Sequence, residues 1–171
     1  MIIVPRAAWG ARKPKSTVPM QTPVKELWIH HTAGAAPPDY PQSKVAIEKT
    51  GERATMRGIQ NYHMDSQGWS DIAYNFVIFP SGRVYKARGW KRQGAHTMNH
   101  NEHSVAFCFA GNFEVDKPTA KALESAAKLK HRGKRYKRLV KTGLNVGGHR
   151  QASGAATSCP GQHLFSRISE I

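Results

Sequence analysis

The sequence predicts an α/β protein with one central, mixed β-sheet flanked by helices, in a single domain that covers residues 1–171. Short runs of aromatic and β-branched residues predict the strands. Segments with helical spacing of apolar residues lie between them. Strands and helices that alternate in this way are typical of a sheet covered by helices, and 171 residues are enough to bury a substantial core.

The N-terminal third is expected to contain one strand and one helix. Residues 1–23 include four prolines and are expected to be mostly irregular. The apolar run from Val24 to His31 predicts a buried strand. Ser43 is expected to cap a helix that runs to about Met64, although Gly51 and Gly58 weaken this prediction.

The central third is expected to add three strands. The run from Ile72 to Phe79 predicts a strand, and Pro80-Ser81-Gly82 predicts a turn. The alternating segment Arg83–Ala87 then completes a hairpin. A further strand from Ser104 to Ala110 holds Cys108, which we expect to be a small buried apolar residue.

The C-terminal third is expected to contain two helices and a short strand. Asp116 or Thr119 is expected to cap a helix from about Pro118 to His131. A short strand from Leu144 to Gly147 would deliver His149. A final helix is expected from Pro160 to Ile171.

The chain is strongly basic. It has 26 Lys and Arg against 11 Asp and Glu, a formal net charge of +15, so it attracts polyanions such as nucleic acids, anionic membranes and bacterial cell walls. Eight of these basic residues fall within residues 128–141, with no acidic residue among them: Lys128, Lys130, Arg132, Lys134, Arg135, Lys137, Arg138 and Lys141. A solvated face is the usual meaning of such a run, but its density favours contact with an anionic wall. Nucleic acid is less favoured, because no recognisable reading module is present.

The sequence also bears on location. It has no apolar stretch long enough to span a membrane, and Pro5 and Arg6 interrupt the apolar start Met1–Val4. No signal peptide is therefore expected. We expect a cytoplasmic protein that acts on the wall only after release.

Three residues could hold a metal. His30 ends a predicted strand, and His149 and Cys159 lie in predicted loops near the C-terminus. Two imidazoles and a thiolate are a zinc ligand set that leaves a fourth position for water. Alternatively, Cys159 would be a nucleophile with His149 as its base, as in a cysteine peptidase.

Several motifs occur in the order found in one known family: Arg6–Arg12, Ile29–Gly34, Asn61–Phe76, Gly82–Tyr85, Arg88–Trp90, Gly94–Thr97, Gly111–Phe113, Gly148–Arg150 and Thr157–Gly161. With them, the chain closely resembles the zinc-dependent N-acetylmuramoyl-L-alanine amidases, a family shared by peptidoglycan recognition proteins and phage endolysins. The resemblance covers nearly the whole chain. It implies a domain of that fold that acts on bacterial peptidoglycan.

The resemblance implies roles for five residues. His30, His149 and Cys159 match the zinc ligands. Tyr74 matches the tyrosine near the catalytic water, although a tyrosine on an apolar strand is by itself more typical of a core. Thr157 matches a position that is threonine in many catalytic members and lysine in some phage enzymes. Catalytic members keep the cysteine, so Cys159 favours an enzyme over a recognition module without turnover.

The resemblance also implies a substrate groove. His63 and His96 match groove positions, and Asn101 and Trp69 are expected at the same rim. The pair Gly89-Trp90 resembles one that accompanies preference for diaminopimelate-type stem peptides, and Arg88 could pair with the extra carboxylate.

Two further expectations concern neighbours of the ligands. His31 should point to the opposite face of its strand from His30 and be structural. Gln151 stands where the family often has an acid, which puts support for a metal ligand from that position in doubt. The compact basic domain without a leader suggests a phage endolysin.

Overall fold

The structure is a computed structural model that describes residues 1–33 and 51–171. Within these residues a six-stranded sheet has the order β1-β4-β3-β5-β2-β6. The strands are β1 (Ile3–Val4), β2 (Glu26–His31), β3 (Phe76–Ile78), β4 (Val84–Lys86), β5 (Ser104–Phe109) and β6 (Asn145–Gly148). The β3–β4 hairpin is antiparallel and the other pairs are parallel, so the expected mixed sheet is confirmed.

Helices cover both faces of this sheet. The α-helices are α1 (Arg6–Trp9), α2 (Glu52–Asn61), α3 (Ala120–Arg135) and α4 (Gln162–Phe165). A π-helical turn, Tyr62–Ser66, continues α2. Two 3₁₀ turns follow β6 and α4, at His149–Gln151 and Ile168–Glu170. None of the helices in the described ranges is long and apolar enough to cross a membrane.

The two faces of the sheet form two separate cores because side chains alternate along each strand. On one face Leu27, Ile29 and Phe107 pack in the larger cluster with Leu123 and Leu129 of α3. On the other face a second cluster joins the sheet to α1 and α2. Its fully buried members include Trp9, Met56, Ile59, Val77 and Cys108.

Helix α3 begins as the sequence predicts and ends later. The Thr119 hydroxyl caps it by accepting a hydrogen bond from the backbone amide of Ala122 at 3.2 Å. It continues to Arg135, four residues beyond the expected end at His131, because buried Leu129 and Gly133 extend its packed face. The basic residues of its last turns are thereby placed on a regular helix.

Residues 1–23 are mostly irregular, as expected, apart from β1, which pairs with β4, and α1, whose Trp9 indole nitrogen donates to Lys86 O at 3.0 Å. Several other predicted boundaries were wrong. The strand expected over 72–79 is confined to Phe76–Ile78. The final helix is only α4 and a 3₁₀ turn. The expected helix from Ser43 is present over α2, but residues 43–50 lie outside the described residues.

Candidate functional site

The register of two neighbouring strands brings His30 and His149 together. Strand β6 pairs in parallel with β2, and Gly148 is the partner of Ile29. His149 follows Gly148, so it comes level with His30. The ring centroids of the two histidines are 4.5 Å apart.

A third segment delivers Cys159 to the same place. The Arg150 backbone amide donates to Cys159 O at 2.9 Å, which joins the loop after β6 to the loop that carries the cysteine. The Cys159 sulfur accepts from the backbone amide of His31 at 3.4 Å. It lies 3.7 Å from His30 Nδ1.

The three side chains fit a tetrahedral metal ion. One ligand atom from each of His30, His149 and Cys159 lies within 4.8 Å of the other two. With Zn–S of about 2.3 Å and Zn–N of about 2.0 Å, sulfur and nitrogen ligands stand about 3.5 Å apart. The observed 3.7 Å between Cys159 Sγ and His30 Nδ1 agrees with that separation.

Burial controls protonation at this site. It lowers the pKa of His30 well below its ordinary value, and His96, His149 and His31 lower it further. Burial and the charge of His100 also lower the pKa of His149. Both imidazoles are thus kept neutral, which is the state that binds metals.

The thiol of Cys159 is a poor nucleophile in this environment. Burial raises its pKa to about 12, against the lowering effects of the His31 amide and Arg150. A cysteine peptidase needs the opposite, a thiol whose pKa is depressed by a neighbouring base. A bound metal ion would favour the thiolate instead.

Thr97 positions His30, a role that the sequence analysis missed. Its hydroxyl oxygen lies 3.2 Å from His30 Nε2 and 3.0 Å from His96 Nδ1. With Nδ1 of His30 directed at Cys159, the proton belongs on Nε2, where Thr97 accepts it. Such a contact fixes the tautomer and orientation of a ligand imidazole. Thr97 stands beside His96 in the Gly94–Thr97 motif, which was the available signal.

Gln151 supports the His149 turn despite the missing acid. Its Oε1 accepts from the backbone amide of Gly148 at 3.0 Å. An amide oxygen can accept this bond as a carboxylate would. Gln151 therefore supports the turn that carries His149. Among the described hydrogen bonds, it makes none to the side chain of a candidate metal ligand.

Tyr74 lies beside the metal candidate, but not on a strand as expected. It precedes β3 in an irregular segment, and its ring centroid is 5.5 Å from that of His30 and 5.6 Å from that of His63. Cys108 is fully buried, as expected. Burial and the Cys159 sulfur raise the pKa of Cys108, and a hydrogen bond with the Tyr74 side chain lowers it.

A groove of about 460 Å³ opens next to these residues. Five of the sequence-predicted site residues line it: Trp69, His96, Asn101, His149 and Thr157. The Thr157 hydroxyl accepts from the Cys159 amide at 3.1 Å, so it holds the cysteine loop while facing the groove. Asn101 Oδ1 accepts from the amides of His96 and Thr97 and shapes the opposite wall.

His63 lies behind the groove rim. Its ring centroid is 4.9 Å from that of Trp69, and its Nδ1 accepts from the Ala73 amide at 3.2 Å. Burial lowers the pKa of His63 to about 4, with a further lowering by Arg88 and an opposing effect of Asp71. His63 is therefore a neutral, buried acceptor that holds the segment leading to Tyr74.

Arg88 and Trp90 are not brought to the groove. The Arg88 guanidinium is buried and donates to backbone carbonyls of Ile72 and Gln93, both at 2.7 Å. Trp90 packs on Phe76 at a centroid distance of 4.7 Å, in the core on the α3 side of the sheet. The substrate contacts expected of this pair are thus not supported by their placement.

His31 turns away from the metal candidate, as strand alternation predicts. Its Nδ1 accepts from the Phe113 amide at 3.2 Å, and its ring stacks on that of Phe113. Burial lowers its pKa to about 4. It ties β2 to the loop after β5.

Known proteins match nearly the whole of this chain. A family model described as N-acetylmuramoyl-L-alanine amidase matches residues 20–162. Peptidoglycan-recognition protein SC1a of Drosophila melanogaster is 37% identical over 166 residues, which cover 97% of this chain and 83% of that protein. A human protein named N-acetylmuramoyl-L-alanine amidase is 37% identical over 170 residues, which cover 97% of this chain but 27% of that protein.

Solved structures show the same fold. Peptidoglycan recognition protein LE in complex with tracheal cytotoxin, a monomeric diaminopimelic acid-type peptidoglycan, superposes with a TM-score of 0.85 at 37% identity, covering 98% of this chain and 92% of that one. Human PGRP-IBETAC in complex with glycosamyl muramyl pentapeptide gives a TM-score of 0.84 at 33% identity, covering 98% and 94%. The expected fold is confirmed.

Proposed function

Because the chain belongs to the N-acetylmuramoyl-L-alanine amidase family, we propose that it hydrolyses the amide bond between N-acetylmuramic acid and L-alanine in bacterial peptidoglycan, with zinc held by His30, His149 and Cys159. The observation that carries the proposal is the convergence of these three donors within 4.8 Å of one another. The adjoining groove supplies room for a glycopeptide.

A zinc ion at this position would acidify a water molecule and polarise the carbonyl of the scissile amide. The side chains of Tyr74 and Thr157 are the hydroxyl donors that the family resemblance assigns to this chemistry. Both can orient the attacking water or stabilise the charge that develops on the carbonyl oxygen. Thr97, His31 and Gln151 hold the three ligand segments in place and are positioning residues.

Peptidoglycan is the proposed partner because two structurally similar proteins are solved with peptidoglycan fragments. The residues 128–141, which we call the basic surface, are proposed to add attraction to the anionic wall. Helix α3 packs on the sheet face opposite His30, so this surface can contact a polymer without covering the groove.

A recognition module without turnover is the second candidate. It is favoured by the similarity to proteins named for peptidoglycan recognition. The presence of Cys159 beside His30 argues for the enzyme, since loss of one of three ligands would remove a catalytic zinc.

The deciding experiment combines metal content with release of soluble fragments from purified sacculi. We expect about one tightly bound zinc per chain and fragments with free L-alanine amino termini. Cys159→Ser should lose both, while Cys108→Ser, the same change at the other cysteine, keeps a polar partner for the Tyr74 side chain and should keep both. Binding of sacculi without fragment release by the zinc-loaded protein would establish the recognition module instead.

Tyr74→Phe separates catalysis from metal binding. The variant should keep its zinc and lose about 10²-fold or more in hydrolysis rate, the usual cost of one stabilising donor. Tyr62→Phe is the matched control, because the Tyr62 hydroxyl accepts from the exposed Gln67 side chain at 3.0 Å. Equal rates for the two variants would remove Tyr74 from the reaction.

We further propose the endolysin setting, in which the enzyme is held in the cytoplasm and reaches the wall through a membrane lesion. In a bacterial host, expression alone should leave cells intact, and a membrane-permeabilising agent should trigger lysis. Lysis without the agent would contradict this setting and leave the amidase proposal intact.

A further inference from the structure

A second cluster of metal-binding side chains lies outside the site described above. Glu26 is the first residue of β2 and pairs with Ser104, the first residue of β5. His100 and His103 come just before β5. Glu26 Oε2 is 2.8 Å from His100 Nδ1, and Glu26 Oε1 is 3.4 Å from His103 Nε2.

We propose that Glu26, His100 and His103 form a second, solvent-accessible site for a divalent transition metal ion of the zinc type. One ligand atom from each residue lies within 4.8 Å of the other two. Two imidazoles and a carboxylate are a recognised zinc donor set, and imidazole also suits copper and nickel. The inference does not depend on the amidase proposal.

The distances are close to those that a metal requires. Nitrogen and oxygen ligands of a tetrahedral zinc stand about 3.3 Å apart, given bond lengths of about 2.0 Å. The 3.4 Å between Glu26 Oε1 and His103 Nε2 already matches this separation. The 2.8 Å between Glu26 and His100 is a hydrogen-bond length, so a metal that replaces the shared proton must open this pair by about half an ångström.

The carboxylate is held in position by a buried neighbour, unlike a simple surface ion pair. The Trp28 indole nitrogen donates to Glu26 Oε2 at 2.9 Å. The same indole meets the His100 ring edge-on at a centroid distance of 5.4 Å. Trp28 is 3% exposed, so its contacts fix both ligands with little freedom. Outer partners of this kind orient metal ligands.

Access and charge also suit a cation. The His103 side chain is 51% exposed, whereas those of His100 and Glu26 are 15% and 18% exposed. An ion can therefore enter from solvent and keep water in its remaining positions. Glu26 supplies the negative charge that a dication needs in a chain whose net charge is otherwise strongly positive.

Such a site would brace one wall of the groove. Asn101 lies between the two histidines, and its Oδ1 binds the amides of His96 and Thr97. The Ser104 hydroxyl donates to His100 O at 2.6 Å. An ion that joins both histidines to Glu26 would hold this loop to the start of β2, and so limit the movement of Thr97.

The test measures binding of zinc alone, by calorimetry, in the Cys159→Ser background that removes the first site. We expect one remaining, weaker zinc site per chain. Adding His103→Ala or Glu26→Gln should weaken it about tenfold or more. Adding His131→Ala, which removes an exposed histidine of α3 outside the cluster, should leave it unchanged.

The parent chain provides an independent check. Titrated with cobalt, it should bind a second ion whose absorption lacks a thiolate-to-metal band, and His103→Ala should abolish that second ion. The site would be disproved if the parent chain bound only one ion, or if His103→Ala and His131→Ala bound zinc equally. Circular dichroism of each variant verifies the fold.

Discussion

The hydroxyl oxygen of Thr97 lies 3.2 Å from Nε2 of His30, on the side of the ring opposite Cys159. This contact selects the tautomer in which His30 Nδ1 is free to bind a metal. Thr97 is itself held, because Asn101 Oδ1 accepts from its backbone amide at 3.1 Å. Asn101 in the groove wall is therefore linked to the candidate metal site through Thr97, whose hydroxyl group contacts His30.

Replacing Thr97 by Val should weaken zinc binding about 10- to 100-fold, because the branched shape is kept but the acceptor for His30 is lost. Competition with a chromophoric chelator measures this affinity. Thr97→Ser restores the hydroxyl and should bind zinc nearly as the parent does. The exposed Thr142→Val is the control. If Thr97→Val and Thr97→Ser had the same affinity, the hydroxyl would have no positioning role.

The burial of His63 predicts a pH-dependent stability. Its pKa in the folded state is about 4, against 6.5 for the exposed side chain. The unfolded chain therefore binds the proton more readily, and the free energy of unfolding should fall as pH drops from 6.5 to 4, by about 3 kcal/mol for this residue alone. Urea denaturation across this range gives the slope.

The control is His63→Asn, whose neutral side chain keeps an acceptor for the Ala73 amide. Its stability should change less with pH than that of the parent, although the remaining buried histidines will still contribute. His131→Asn, at an exposed position, should follow the parent curve. A His63→Asn slope equal to the parent slope would show that His63 is protonated without cost in the folded protein.

The identity of the candidate ligands was accessible from the sequence, whereas the residues that orient them were not. His30, His149 and Cys159 stand within recognisable motifs. The contacts of Thr97 and Gln151 depend on side-chain directions across loops, which motif spacing does not specify. Arg88 and Trp90 show the same limit, since their motif was recognised and yet both side chains face the interior.

The failed strand over 72–79 has a local cause. The run Ile72–Phe79 has the composition of a strand. At Asn75, however, the side chain makes hydrogen bonds to neighbouring backbone groups that the backbone would make in a regular strand. Asn75 Oδ1 accepts from the Ala106 amide at 2.9 Å, and its Nδ2 donates to Gly89 O at 2.8 Å. The ladder therefore begins only at Phe76, and Tyr74 lies outside it with its ring 5.5 Å from that of His30.

Asp71 should be important for stability. Its carboxylate is 1% exposed and lies 3.1 Å from the Arg6 guanidinium and 3.2 Å from that of Arg92. It also accepts from the Gln60 side chain at 2.6 Å. Asp71→Asn leaves two partly buried arginines without their counterion, so we expect a loss of about 3–5 kcal/mol in urea unfolding.

The matched control is Asp65→Asn, which breaks the exposed ion pair between Arg12 and Asp65. Exposed pairs contribute little, so this variant should unfold near the parent midpoint. Equal midpoints for Asp71→Asn and Asp65→Asn would mean that the buried network stabilises the fold no more than a surface pair does.

The basic surface predicts salt-sensitive attachment to the anionic wall. Arg132 and Arg135 flank the exposed ring of Tyr136, and Lys137 follows it on the solvent side. Reversing these three charges with Arg132→Glu, Arg135→Glu and Lys137→Glu should reduce retention on sacculi and flatten its dependence on salt between low and physiological ionic strength, where the screening length is about 8 Å.

The control is a triple variant that changes the net charge equally at exposed positions elsewhere, Lys13→Glu, Arg53→Glu and Lys91→Glu, and it should affect retention less. Hydrolysis of a soluble muramyl peptide should be the same in both triple variants, because the basic surface lies on the sheet face opposite His30 and the three control residues are not among those that line the groove. If both variants lost retention to the same extent, total charge rather than this surface would account for the attraction.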